Sequence, residues 1–260
     1  MKKWISSVVL CFCALISTQV HAEKKVLQIA TGELAPYATQ TRTDRGIALS
    51  IVRRAFELAG YRVEYTFMPW SRTLAESKMG KWDGTAYWGK KPEHAAQFFI
   101  SENVVTEQWV FVYRNDLKFQ WDTVQDLKSY RVGMIQDYTY TPEIWKAAND
   151  GVFKSEKLLD EKTLLKMMLL QRIDIAPLER NVACDMLLNS FTPQEAAKLS
   201  AFPKLMTDSF TTHLMLPRRK AESAQRLQDF NRGLERLRAS GEYAKLLAQV
   251  NCPTGWGVSK

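Results

Sequence analysis

The stretch Phe67 to Ser101, FMPWSRTLAESKMGKWDGTAYWGKKPEHAAQFFIS, decides the fold. A strand end runs into Pro69-Trp70, and a helix is expected over Ser71 to Met79, stopped by Gly80. A Gly-Lys-Trp-Asp-Gly turn follows, then a short apolar strand, Gly84 to Trp88, and a Lys-Pro-Glu-His loop at 91–94. In an open α/β sheet, ligands bind beyond the carboxyl ends of the strands. The segments Trp70 to Arg72 and Tyr87 to His94 fall at such ends.

Upstream, Val26 to Thr31 is a short apolar strand, and Gly32 to Asp44, with Pro36 and no apolar periodicity, is a loop. Gly46 to Ala59 places Ile47, Ile51, Val52, Ala55 and Phe56 on one helical face, Gly60 ends it, and Arg62 to Phe67 alternates as a strand. Strand, helix, strand in such short order is a βαβ unit and implies a parallel sheet. Downstream, Glu107 to Tyr113 is a long extended run broken by Arg114-Asn115-Asp116. A second βα alternation then begins. Asp122 is expected to cap a short helix through 126–128, and Arg131 to Ile135 reads as a strand. Thr141-Pro142 opens a helix, Lys157 to Leu159 is a strand, Glu161 to Leu170 a helix and Ile173 to Ala176 a strand. Glu179 to Leu188 is the next helix, and Thr192 with Glu195 forms a capping box. Thr211 to Leu216 reads as a return strand, followed by a long helix, Glu222 to Arg238, and a short one, Tyr243 to Val250.

The first 22 residues read as a secretory leader: basic Lys2-Lys3, an apolar Ile5 to Ile16 too short to span a bilayer comfortably, and Val20-His21-Ala22 before the cut. The mature chain then starts at Glu23 in the periplasm. It keeps 34 basic (36 less Lys2 and Lys3) against 28 acidic side chains. That mild surplus is spread out, with no basic block or aromatic-basic stripe for a nucleic acid. Cys11 and Cys13 leave with the leader. The remaining Cys184 and Cys252 are expected to pair in an oxidising compartment, two buried thiols being the alternative.

Only His94 and His213 survive leader removal, and there is no Cys-x-x-Cys, so no zinc site of ordinary spacing is expected. Gly-x-Ser-x-Gly, Gly-x-Gly-x-x-Gly and Gly-Lys-Ser/Thr motifs are absent, which removes the usual support for hydrolase, dinucleotide and nucleotide readings. No cofactor is expected. The candidate ligand contacts are Tyr37, Trp70, Arg72, Trp88, Gly89, Tyr138, Thr139 and Glu179: aromatics to stack on flat or apolar parts, an arginine for a carboxylate, and a carboxylate for an ammonium.

The order of these elements resembles the bacterial periplasmic solute-binding proteins of family 3, the polar-amino-acid receptors of ABC importers. The resemblance covers nearly all of the mature chain. It is carried by Ala35-Pro36-Tyr37, Phe67-x-Pro69-Trp70, Gly80 to Gly84, Pro92-Glu93-His94, Asp126-Leu127-Lys128 with Val132-Gly133, Arg172-Ile173-Asp174, and Phe230-Asn231 with Ser240-Gly241-Glu242-Tyr243. It implies an α/β, two-lobe periplasmic binding protein fold (type II), each lobe a mostly parallel sheet flanked by helices. The lobes are expected at 23–114 and 115–206, with 207–260 returning to the first. The resemblance implies a monomer that captures a small polar solute by hinge closure and delivers it to a membrane permease. It also implies that Tyr37 and Trp70 line the pocket, that Tyr87 to Gly89 present main-chain groups, that Thr139 helps bind an anionic group, and that Glu179 takes an α-ammonium. The family's Thr-x-x-Arg or Thr-Pro-Glu-Arg clamp for an α-carboxylate reads Lys91-Pro92-Glu93-His94 here. A neutral imidazole supplies no bidentate, permanent positive charge. Either Arg72 or Lys91 takes over that charge, or the ligand is not an ordinary α-amino acid. The same scaffold also serves periplasmic cyclohexadienyl dehydratases, in which reading Glu179 or His94 acts as acid or base, and ligand sensors that report to membrane kinases.

Overall fold

A computed structural model describes residues 25–136, 138 and 140–249; the expected leader, Thr139 and Cys252 lie outside them. β1 (Lys25–Thr31) and β2 (Tyr61–Phe67) run parallel, with Lys25 opposite Tyr61 and Thr31 opposite Phe67, and α1 (Ile47–Leu58) connects them. α2 (Trp70–Lys78) leads to β3 (Gly84–Gly89), which joins the other edge of β1. Pro92-Glu93-His94, expected in a loop, opens a helix instead, α3 (Pro92–Gln97). Pro92 takes the first helical position, where its missing N–H costs nothing. β4 (Phe98–Ile100) then pairs with the returning strand.

The long strand β5 (Val105–Arg114) carries the chain into a second unit. A 3-10 turn, Val124–Ser129, is followed by β6 (Arg131–Ile135), α4 (Pro142–Asn149), β7 (Lys154–Leu158), α5 (Glu161–Leu169) and β8 (Ile175–Glu179). α6 (Arg180–Ser190), α7 (Pro193–Ala196) and β9 (Leu199–Ala201) complete it. Thr123 and Asp126, not Asp122, form the cap of the 3-10 turn, each side chain satisfying the other's backbone N–H. β10 (Thr207–Pro217) returns antiparallel to β5, and α8 (Ser223–Ala239) and α9 (Glu242–Leu247) end the described chain.

The strand order is β2-β1-β3-β10-β5-β8-β6-β7. Each half is a parallel trio, β2-β1-β3 or β8-β6-β7, with the antiparallel β5 and β10 crossing between. Two hydrophobic cores match these halves. One packs Leu27, Ile29, Phe56, Phe230 and Leu234 between the first sheet and helices α1 and α8. The other packs Met134, Ile144, Leu164, Leu165 and Leu178 in the second half. β5 feeds both, Val105 joining the first core and Val110 to Val112 the second. Each half is also pinned by a half-buried aspartate. Asp83, in the Gly-Lys-Trp-Asp-Gly turn, takes Lys220 at 2.7 Å and Arg226 at 2.9 Å. Asp174 bridges Arg114 of β5 (3.0 Å) and Arg131 of β6. Among the described residues no helix is long and apolar enough to cross a membrane.

Candidate functional site

The register of β10 against β5 shifts between Thr207 and Phe210. A cavity of about 50 Å³ opens there. Trp70, Tyr87, Trp88 and Gly89 line it from the first half, with Leu34 beside them. Glu107 and Thr212 come from the crossing strands, and Trp109, Phe210 and Tyr138 close it from the second half.

The aromatic walls are held in place by their neighbours. Trp70 begins α2 and meets Trp88 edge-on at 5.2 Å between ring centroids. The back of the Trp70 indole lies on Gly32, where a Cβ would fall 2.2 Å from the ring, so only glycine fits. Trp88 donates its Nε1–H to Thr85 Oγ1 at 2.8 Å. Trp109 packs edge-on against Tyr138 at 6.0 Å and Tyr140 at 5.4 Å. The Tyr138 hydroxyl is buried without a hydrogen-bond partner among the described residues.

Beneath the aromatics lies a polar network that joins the halves. Glu107 is 3% exposed, accepts from Trp109 Nε1 at 2.7 Å, and is hydrogen-bonded by the Tyr87 hydroxyl. Tyr87 stacks on Tyr37 at 5.3 Å. The Tyr37 hydroxyl donates to Glu179 Oε1 at 3.2 Å and accepts from Asn181 Nδ2 at 2.7 Å. Glu179 stands opposite Trp109 in the β5–β8 ladder. Burial pushes the Glu107 carboxyl up to about 8, and the nearby Glu179 raises it further against the pull of the Tyr87 and Trp109 hydrogen bonds. Burial likewise pushes Glu179 up to about 7, opposed by the hydrogen bonds from Val182 N–H and Tyr37. Burial holds both tyrosines far above their ordinary range, so they stay neutral donors.

The structure divides the expected contacts. Trp70, Trp88, Gly89 and Tyr138 line the cavity together. Tyr37 lies one layer behind them. Glu179 has its carboxylate committed elsewhere: Oε2 caps α6, accepting from Asn181 N (2.8 Å) and Val182 N (2.9 Å). Arg72 projects outward, paired with Glu76 at 2.8 Å, and is not among the lining residues. His94 is buried behind Trp88, 6.1 Å between ring centroids, with Nδ1 unpaired among the described residues. Burial first, and the charge of Lys91 second, depress its pKa. Thr139 lies outside the described residues. Of the lining residues, the sequence reading missed Leu34, Trp109, Phe210, Thr212 and Glu107. The signal for Glu107 was a carboxylate on the same strand face as Val105 and Trp109.

At the cleft edge, Lys90, Thr141, Pro142, Ser209 and Thr211 line a polar depression of about 230 Å³. Thr141 caps α4 there, accepting from Ile144 N–H. Cys184 is buried in α6; its expected partner Cys252 lies outside the described residues.

Comparison with solved structures places this architecture. An ancestral arginine-binding protein bound to arginine aligns at 16% identity over 87% of this chain and 98% of its own, with a TM-score of 0.74. A histidine kinase sensor domain with similarity to periplasmic binding proteins aligns at 16% identity, 87% and 96% coverage, TM-score 0.73. An amino acid ABC transporter substrate-binding protein from Streptococcus pneumoniae bound to L-arginine aligns at 17% identity, 86% and 94% coverage, TM-score 0.69. Such likenesses establish the two-lobe, type II periplasmic binding protein fold. A search of curated proteins found no match. The family profile described as bacterial extracellular solute-binding proteins, family 3, matches residues 27–250, nearly the whole chain, and the protein belongs to that family.

Proposed function

We infer that the protein is a periplasmic receptor of an ABC importer, capturing a small polar, amino-acid-like solute between its lobes. The observation that supports this reading is the cavity at the strand crossing, lined by residues of both halves and of the strands that run between them. Each lobe supplies part of the site, so the ligand shifts the open–closed balance by preferring the closed form. In this reading residues 23–114 and the returning 207–260 form one lobe and 115–206 the other. A leader ending at Ala22 directs export, Cys184 pairs with Cys252, and the monomer docks on a membrane permease. A thermal-shift screen of amino acids, amines and small carboxylates finds a stabilising ligand. Trp70→Ala abolishes that shift; an unaltered shift removes Trp70 from the site.

Two observations favour other readings. The likeness to a kinase sensor domain fits a receptor that signals to a membrane kinase, and the genes adjacent to this one separate the two. The paired buried carboxyls with raised pKa values are the kind of groups that act as acid and base in a closed cleft. Turnover of prephenate or arogenate by the pure protein decides for a dehydratase.

A further inference from the structure

The cavity has an unusual charge balance. Among the described lining residues none is a lysine or arginine, and the one ionisable carboxyl is Glu107. His94, at the position of the family's arginine, is buried behind Trp88 and does not line the cavity. Arg72 faces outward on Glu76, and Lys90 stands at the outer depression. An α-carboxylate placed in the cavity would meet π faces and a second carboxyl, all electron-rich. A cation meets the opposite: the faces of Trp70, Trp88, Trp109 and Tyr138, with Glu107 as counter-charge.

We propose that the group bound in this cavity is an alkylammonium head, held by Glu107 and the surrounding aromatic rings, and that the solute is an amine lacking an α-carboxylate. This deepens the receptor reading and rests on it. Glu179 is not among the lining residues, its oxygens serving α6 and Tyr37; Glu107 lines the cavity, its oxygens meeting the Tyr87 hydroxyl and Trp109 Nε1. Burial without a cation explains why the Glu107 carboxyl titrates high.

The test compares matched pairs that differ only in the carboxylate: cadaverine against lysine, and agmatine against arginine. Isothermal titration calorimetry on the wild-type protein is expected to show each amine binding at least tenfold more tightly than its amino acid. Glu107→Gln, checked for folding by circular dichroism, is expected to lose at least tenfold in amine affinity. The groups around Glu107 are the neutral phenols Tyr87 and Tyr37, the Trp109 indole, Asn181 and the capped Glu179. The proton competing with the cation is therefore shared by the two carboxyls. Amine binding strengthens from pH 6 to pH 8, up to tenfold per unit, a readout on the wild-type protein that does not depend on the variant folding. Amino acids binding as tightly as their amines, or amines failing to bind, overturns the proposal. If amino acids bind and amines do not, the receptor reading stands alone. If no solute of a broad library binds, both fall.

Discussion

Tyr37→Phe isolates the link between the lobes. The phenol reaches from the loop after β1 to the start of α6, where its oxygen meets Glu179 at 3.2 Å and Asn181 at 2.7 Å. The substitution keeps the ring, its stacking on Tyr87 and its place in the first core. What it removes is one donor to a buried carboxyl and the acceptor of Asn181 Nδ2. In the closed arrangement Glu179 Oε1 then loses that donor away from water, which costs about 1–3 kcal/mol. With the lobes apart, water satisfies the same oxygen and the cost disappears. The loss therefore falls on closure, not on folding. At about 2 kcal/mol, and 1.4 kcal/mol per tenfold, the open form gains about 30-fold. Spin labels or fluorophores on the outer faces of α2 and α4 report the distance between lobes, and calorimetry reports affinity for whatever ligand the thermal-shift screen finds. The expected result is a longer mean distance without ligand and a Kd weakened by the same factor, at an unchanged melting temperature. A melting temperature lowered by several degrees with unchanged affinity would refute the clamp and make Tyr37 an ordinary core residue.

Gly32→Ala drives a methyl into the Trp70 indole, 2.2 Å from the nearest ring atom; Trp70 rotates off its seat and ligand affinity falls at least tenfold by calorimetry, with the fold kept by circular dichroism. Gly233→Ala sets a Cβ 2.0 Å from the Ala55 carbonyl oxygen, where α8 crosses α1. A backbone carbonyl cannot swing away, so the expected cost is about 3 kcal/mol, or about 6–12 °C in thermal melts, with binding intact in the folded fraction. Because Glu107 and Glu179 have folded pKa values above the unfolded 4.5, the stability they contribute is present below pH 4.5 and lost as pH rises through about 7 to 8. Between pH 6.5 and 9, where the depressed histidines stay neutral, denaturant melts lose on the order of 3 kcal/mol, and Glu107→Gln flattens the curve.

Most of the fold was legible because its buried elements announce themselves. Val26 to Thr31, Gly46 to Ala59 and Arg131 to Ile135 each carry an apolar period that only one secondary structure can bury. The elements that slipped are the ones without a buried face. β7 exposes almost every side chain along Lys154–Leu158 and is held by backbone pairing to β6 alone, which hydropathy does not register. α3 is six residues long, too short for a period, and His94 is its one buried side chain. The aromatic half of the site was legible from strand ends: Trp70, Trp88, Gly89 and Tyr138 stand where the chain order puts them. The charged half was not. Glu179 sits at the expected place, yet a carboxylate at the first turn of a helix is also an N-cap, and pattern alone does not separate the two uses. Arg72 follows Trp70 by two positions, which on a helix turns it to a different side.

The two carboxyls acquire their meaning from the ladder that joins them. Glu107 and Trp109 share one face of β5, and Trp109 is the register partner of Glu179 on β8. Anything bound against Glu107 thus lies one residue pair from the group that Tyr37 grips across the cleft. Closing the lobes on an empty cavity buries Glu107 and Glu179 near each other with no positive charge between them, and at least one proton has to accompany that closure. On the proposal of a cationic ligand, a bound cation takes the place of the proton and makes the closed state favourable at neutral pH. Ligand charge and lobe closure then act on the same pair of groups, so a solute of the wrong sign fails twice: it is repelled in the cavity, and it leaves the clamp without the charge that closure requires.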